Sequence, residues 1–279
     1  MDSIENYHFT VGDLQCVAIS DGTETVPVDS FVKGVSPEAW KRALQERGYS
    51  LAEATVYFNC LYIQTGSHRI LVDTGWGQGA QRRNGALLDR LKTAGVSPAA
   101  IDVVIITHGD FDHIGGILDA DHQLVFPNAG YILSKAAWEF WSNEAILAQL
   151  PESLTGFGRE TLPLIQDRLR VIEAGVEFLP GFQLISAPGH RPGHAALAVT
   201  SSGEHLLHLA DIVGHPLLME HPDWQWTYDT KADQARVDRE QLLNQAVAQN
   251  AWVFGAHLPF PGVGRVTQQG EGWRWHPVR

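Results

Sequence analysis

The chain has 279 residues, 44% of them hydrophobic and 19% charged, with a formal net charge of −12. That balance fits an ordinary globular protein and argues against a nucleic-acid or anionic-membrane partner. No window of about 18 apolar residues occurs, so no membrane-spanning helix is expected, and the opening MDSIENYHFT lacks a basic-then-apolar signal pattern; the default location is the cytoplasm.

Residues 9–19 alternate as a first strand, and Ser20-Asp21-Gly22 carries turn chemistry. Ser36 and Pro37 open a short helix running to about Arg47. Residues 55–64 and 68–72 read as a hairpin that ends in Asp73-Thr74-Gly75. Residues 85–94 form a short amphipathic helix. The β-branched run 103–106 is a buried strand that stops at Thr107. A strand at 130–133 and a helix at 135–141 follow. Residues 143–158 have no clear period and read as a lid or an insertion over a site. A helix at 160–168, a strand at 182–186 and a hairpin of 195–200 with 205–209 come next. A long helix at 232–248, a strand at 252–254 and a last hairpin within 264–278 complete the chain. Strand-rich segments alternate with single helices and no linker intervenes, which predicts one layered α/β domain over residues 1–279. Cys16 and Cys60 lie in apolar β-like runs without zinc-ribbon spacing, so buried free thiols are expected.

Chemistry concentrates where strands end. The loop THGDFDHIGG places His108, Asp110, Asp112 and His113 directly after a core strand, and Gly109, Gly115 and Gly116 let it turn. Histidine and aspartate are the ligands of borderline to hard divalent metals. Asp73, His194, Asp211 and His257 each follow another apolar strand. In this order LVDTG, THGDFDHIGG, PGHRPGH, LADIVG and GAHLPFPG resemble the metallo-β-lactamase superfamily of dinuclear metal hydrolases. The resemblance runs from about Phe9 to the end. It is nearest the methyl parathion hydrolase-like branch, through residues 210–213, 228–232 and 257–262.

The resemblance implies a four-layered αββα sandwich with two metals at one edge of its sheets. His108, Asp110 and His194 would hold one metal, Asp112, His113 and His257 the second, and Asp211 would bridge both. A metal-bridging hydroxide would attack a carbonyl or phosphoryl centre, with Asp112 and Asp211 as the catalytic carboxylates. Asp73 either orients a ligand from behind or caps its own turn. His190 is expected behind the site or in the turn. The histidines at 8, 68, 122, 205, 208, 215, 221 and 276 have no converging partners in sequence.

One position departs from the family pattern His-x-His-x-Asp-His: Asp110 stands where a neutral imidazole is usual. A third carboxylate favours harder ions, so manganese or iron join zinc as expected metals. Trp76, Phe111 and Phe260 lie near the proposed ligands and would line an aromatic mouth for a hydrophobic ester, lactone or phosphotriester. Gly214 stands where lactonases of this superfamily carry a tyrosine, which argues against a tyrosine-assisted lactonase. The expected activity is a metallo-hydrolase acting on a small molecule. The alternatives are a di-iron or manganese oxidoreductase of the same fold, or a ligand-binding member with weakened catalysis. A homodimer is compatible with the sequence.

Overall fold

The computed structural model describes residues 6–77 and 85–278. The first five residues, part of the segment read above for a signal peptide, lie outside the described residues. Two seven-stranded sheets dominate. The first runs in the spatial order Asn6–Val11, Leu14–Pro27, Glu53–Gln64, Arg69–Val72, Val103–Ile105, Gly130–Ser134, Leu169–Ile172. The second runs Gly272–Pro277, Val263–Gln269, Trp252–Phe254, Glu204–His208, Ala195–Ser201, Phe182–Ser186, Glu177–Leu179.

The layers follow from which side chains each strand buries. Alternate residues of the first sheet (Cys16, Ala18, Leu61, Ile63, Ile70, Val72) pack against Leu184, Leu197, Val199 and Phe254 of the second, forming a core between the sheets. The intervening residues Val17, Cys60, Tyr62 and Leu71 face outward under the helices Leu87–Thr93 and Lys135–Trp141. The outer face of the second sheet packs under the helix Ala232–Ala248 through Leu242, Leu243 and Ala246. The result is the αββα arrangement of the metallo-β-lactamase fold. Among the described residues no helix is long and apolar enough to cross a membrane. Both cysteines are buried free thiols.

Several sequence expectations need correction. The single strand at 9–19 is two strands, Asn6–Val11 and Leu14–Pro27, paired around a tight turn. Ser20-Asp21-Gly22 is no turn; the second strand continues through it with a shift of register between Ser20 and Gly22. Asp21 is fully buried there. Its carboxylate accepts hydrogen bonds from Trp76 N at 2.8 Å and Leu87 N at 2.7 Å, so it anchors a loop that is remote in sequence. The stretch 143–158 is helical in Glu144–Leu147 and Glu152–Thr161. Leu162–Arg168, expected as part of an α-helix, is 3-10.

Candidate metal centre

Ends of strands from both sheets meet at one edge of the sandwich. Arg69–Val72 and Val103–Ile105 deliver Asp73 and the loop beginning at Thr107, and Phe182–Ser186, Glu204–His208 and Trp252–Phe254 deliver the loops holding His190, Asp211 and His257. The loop after Thr107 is pressed against Trp141. A Cβ at Gly109 would lie 2.4 Å from the Trp141 ring, so only glycine lets the backbone pass. Asp110 occupies the N-cap of the short helix Phe111–Ile114, yet its side chain makes no capping bond. It turns toward the site instead. Asp73 and Ala210 adopt left-handed backbone at φ 60° and 47°, strain concentrated beside the candidate ligands.

Two groups of metal-competent atoms result. Asp112, His113, Asp211 and His257 form one; His108, Asp110 and His190 form the other. Asp211 touches both. Its Oδ1 lies 3.0 Å from His113 Nε2, and its Oδ2 lies 3.0 Å from His257 Nε2, 3.3 Å from His190 Nε2 and 3.7 Å from His108 Nε2. Asp112 Oδ2 is 3.5 Å from His113 Nε2 and 3.6 Å from His257 Nε2.

The four imidazoles share one orientation, because each Nδ1 is committed outward. His113 Nδ1 meets Asp73 Oδ2 at 2.8 Å, His190 Nδ1 meets Asp229 Oδ1 at 3.1 Å, and His257 Nδ1 donates to Tyr57 O at 2.7 Å. Thr107 Oγ1 donates to Asp73 Oδ2, which leaves it to accept from His108 Nδ1 at 3.1 Å. All four Nε2 atoms therefore face inward, where a bound cation would displace any proton and take their lone pairs. The Nε2 atoms of His108, His113 and His190 and Oδ1 of Asp211 are buried and lack a hydrogen-bond partner. Buried polar atoms are rarely left so, and a cation between them would satisfy them. A tetrahedral ion at about 2.1 Å spaces its ligands roughly 3.4 Å apart, close to the separations found here.

Protonation follows the same crowding. Burial disfavours charge on His113, but Asp211, Asp112 and Asp73 outweigh it and hold the imidazole well above its ordinary value. Burial likewise opposes ionisation of Asp211, yet His113, His257 and His108 bring it well below the carboxylate range. Charge crowded this way is what a bound cation would replace.

His194 is the main correction to the sequence reading. Its Nδ1 donates to Ala187 O at 3.0 Å and its Nε2 accepts from Asp211 N at 3.1 Å, so neither nitrogen is left for an ion. His190, four residues earlier, points into the site. His194 instead fixes the backbone of Asp211. Asp73 acts from behind on His113 and Thr107 rather than capping its own turn.

Above these groups lies a cleft of ≈ 180 Å³. Trp76 lines it. Phe111 and Phe260 do not: Phe111 sits behind Trp76, edge-on at 4.9 Å, and packs on Phe157 at 4.6 Å. Phe58, Trp226 and Tyr228 supply the aromatic wall instead, with Val26, Val56, Glu24 and Arg191. Trp226 stacks on His190 at 5.2 Å and meets His257 edge-on at 5.5 Å. Of these wall residues, Glu24, Val26, Val56, Phe58 and Trp226 come from strands that no local motif marks.

A sequence profile of the Metallo-beta-lactamase superfamily matches residues 56–257. The probable metallo-hydrolase YflN of Bacillus subtilis (strain 168) is 29% identical over 181 residues, which cover 62% of this chain and 65% of YflN. The match thus spans less than two thirds of that relative's length. Among solved structures, AidC, a dizinc quorum-quenching lactonase in complex with a product, is 31% identical with a TM-score of 0.92, over 98% of this chain and 97% of AidC. The hydrolase AbOPH of the beta lactamase superfamily is 25% identical with a TM-score of 0.90, over 100% of this chain and 99% of AbOPH.

Proposed function

The chain belongs to the metallo-β-lactamase superfamily, and from that premise we propose that it is a metal-dependent hydrolase of a small, neutral, hydrophobic lactone or ester. The observation that carries the proposal is the convergence of four inward Nε2 atoms and three carboxylates at the floor of an aromatic cleft. In this reading His108, Asp110 and His190 hold one divalent cation, Asp112, His113 and His257 hold the other, and Asp211 is shared. The dizinc relative supports zinc as the metal. Bound there, two cations supply a lowered pKa for water and polarisation of the substrate oxygen.

The chain's own residues do the rest. Asp112 lines the cleft, and its carboxylate takes the proton given up by the attacking water and returns it to the departing alkoxide. Phe58, Trp76, Trp226 and Tyr228 cover the apolar part of the substrate and exclude water from the reacting bond. A lactone stands first because an N-acyl homoserine lactonase is among the curated relatives and the 31% identical structural relative is a quorum-quenching lactonase. Turnover of an acyl homoserine lactone, an aryl ester and an aryl phosphotriester, with and without chelator, tests the reading. We expect lactone or ester hydrolysis that chelation abolishes and zinc restores. Activity that survives complete metal removal overturns it.

A further inference from the structure

Asp110 brings a negative charge to a place where the family pattern has a neutral ring, and a positive charge lies directly on it. Arg191 Nε is 2.8 Å from Asp110 Oδ2 and 3.1 Å from its Oδ1. The same Oδ2 lies 3.7 Å from both His108 Nε2 and His190 Nε2, so it is the atom facing the first metal group. The guanidinium is itself fixed: its Nη1 donates to His190 O at 3.0 Å and to Tyr228 O. Arg191 adjoins His190 in sequence, and only 12% of its side chain is exposed. Its place is set by the loop that sets the ligand.

We propose that Arg191 is a charge-balancing positioning residue that makes the Asp110 carboxylate stand in for an imidazole. The inference rests on the reading that these residues hold cations. With three carboxylates the donor set carries one more negative charge than a set with two, and the guanidinium cancels it. A charge-assisted hydrogen bond also draws electron density from the carboxylate oxygen, weakening it as a hard donor. The shift toward manganese or iron that a third carboxylate would bring is thereby offset. The unused N-cap of Phe111–Ile114 agrees with this, since Asp110 gives up its local bond to serve Arg191 and the site.

The test measures zinc and manganese affinity by competition with a chromophoric chelator, on wild type and on variants whose folding is followed by circular dichroism. Arg191→Gln should lower the preference for zinc over manganese by about tenfold. Arg191→Lys keeps the charge and should stay within about threefold of wild type. In Asp110→His the positive charge faces a neutral ring, and adding Arg191→Gln should raise zinc affinity. An unchanged zinc-to-manganese preference in Arg191→Gln, or a further fall in zinc affinity when it is added to Asp110→His, overturns the inference and leaves the cation reading standing. A wild-type chain that binds neither metal overturns both.

Discussion

The ring of Trp226 occupies the space a side chain at position 214 would need: a Cβ on Gly214 would lie 2.3 Å from Trp226 Cε2. A tyrosine at this position, which the resemblance would lead one to expect in a lactonase, and this tryptophan are therefore mutually exclusive. Gly214→Ala should push the indole off His190 and out of the cleft wall. We expect a loss of about 1–3 kcal/mol of stability from overpacking and a rise in KM larger than the change in kcat. Thermal denaturation and steady-state kinetics check both; a variant with wild-type stability and KM would contradict the packing argument.

Asp73 holds His113 and Thr107 together from behind the site. Asp73→Asn keeps the size of the group but removes the charge that fixes the His113 tautomer. Outer partners of metal-binding histidines contribute about 10–100-fold in metal affinity. A drop of that order, read by chelator competition, is expected with little change in secondary structure by circular dichroism.

Asp229 joins His190 to Arg239, its Oδ2 lying 3.3 Å from Arg239 Nη2. Both ends of the ion pair are buried, and Arg239 also donates to Ile212 O at 2.8 Å, beside Asp211. Asp229→Ala leaves a buried guanidinium without its counter-charge, which costs about 3–5 kcal/mol. Urea denaturation should show that loss even in metal-free protein, whereas a purely metal-linked role would show it only with metal bound.

Burial pushes the His215 imidazole down to about 3, and Tyr49, Trp40 and Phe31 surround it with ring centroids at 4.7, 5.6 and 5.8 Å. The unfolded chain binds a proton at this residue near pH 6.5 and the folded chain does not until about pH 3. Its stabilising contribution is therefore present above pH 6.5 and is lost as pH falls toward 3. Between pH 7 and pH 4 the loss attributable to His215 is about 3 kcal/mol. His215→Asn keeps an acceptor for Leu217 N–H, and its stability should fall by about that much less over the same range. Parallel pH–stability curves for the two proteins would refute this.

What the sequence made legible was local. Four donors lie within His108–His113, and each remaining strand end carries its ligand within a few residues of a glycine or proline, so short patterns suffice. His190 and His194 could not be told apart that way, because both follow a glycine in the same loop. The choice is made by Asp229, remote in sequence, which turns His190 inward, and by the Ala187 carbonyl, which holds His194 back. The cleft walls were hidden for the same reason. Phe58, Trp226 and Tyr228 face the site only once the first sheet and the Gln225–Trp226 strand are in place. Asp21 misled because an Asp-Gly pair usually marks a turn; here the strand continues, and the amides of Trp76 and Leu87 satisfy the carboxylate.

The donors are divided between the two sheets. His108, Asp110, Asp112 and His113 ride on the first, and His190, Asp211 and His257 on the second. Neither half of the chain holds a complete site, so an ion caught at this seam acts as a removable cross-link between them. Its effect is thermodynamic as well as catalytic, since a ligand that binds only the assembled state stabilises that state in proportion to the logarithm of its free concentration. In the proposed reading the free concentration of the metal would therefore add to the stability of the joined sheets, beyond the apolar core they already share.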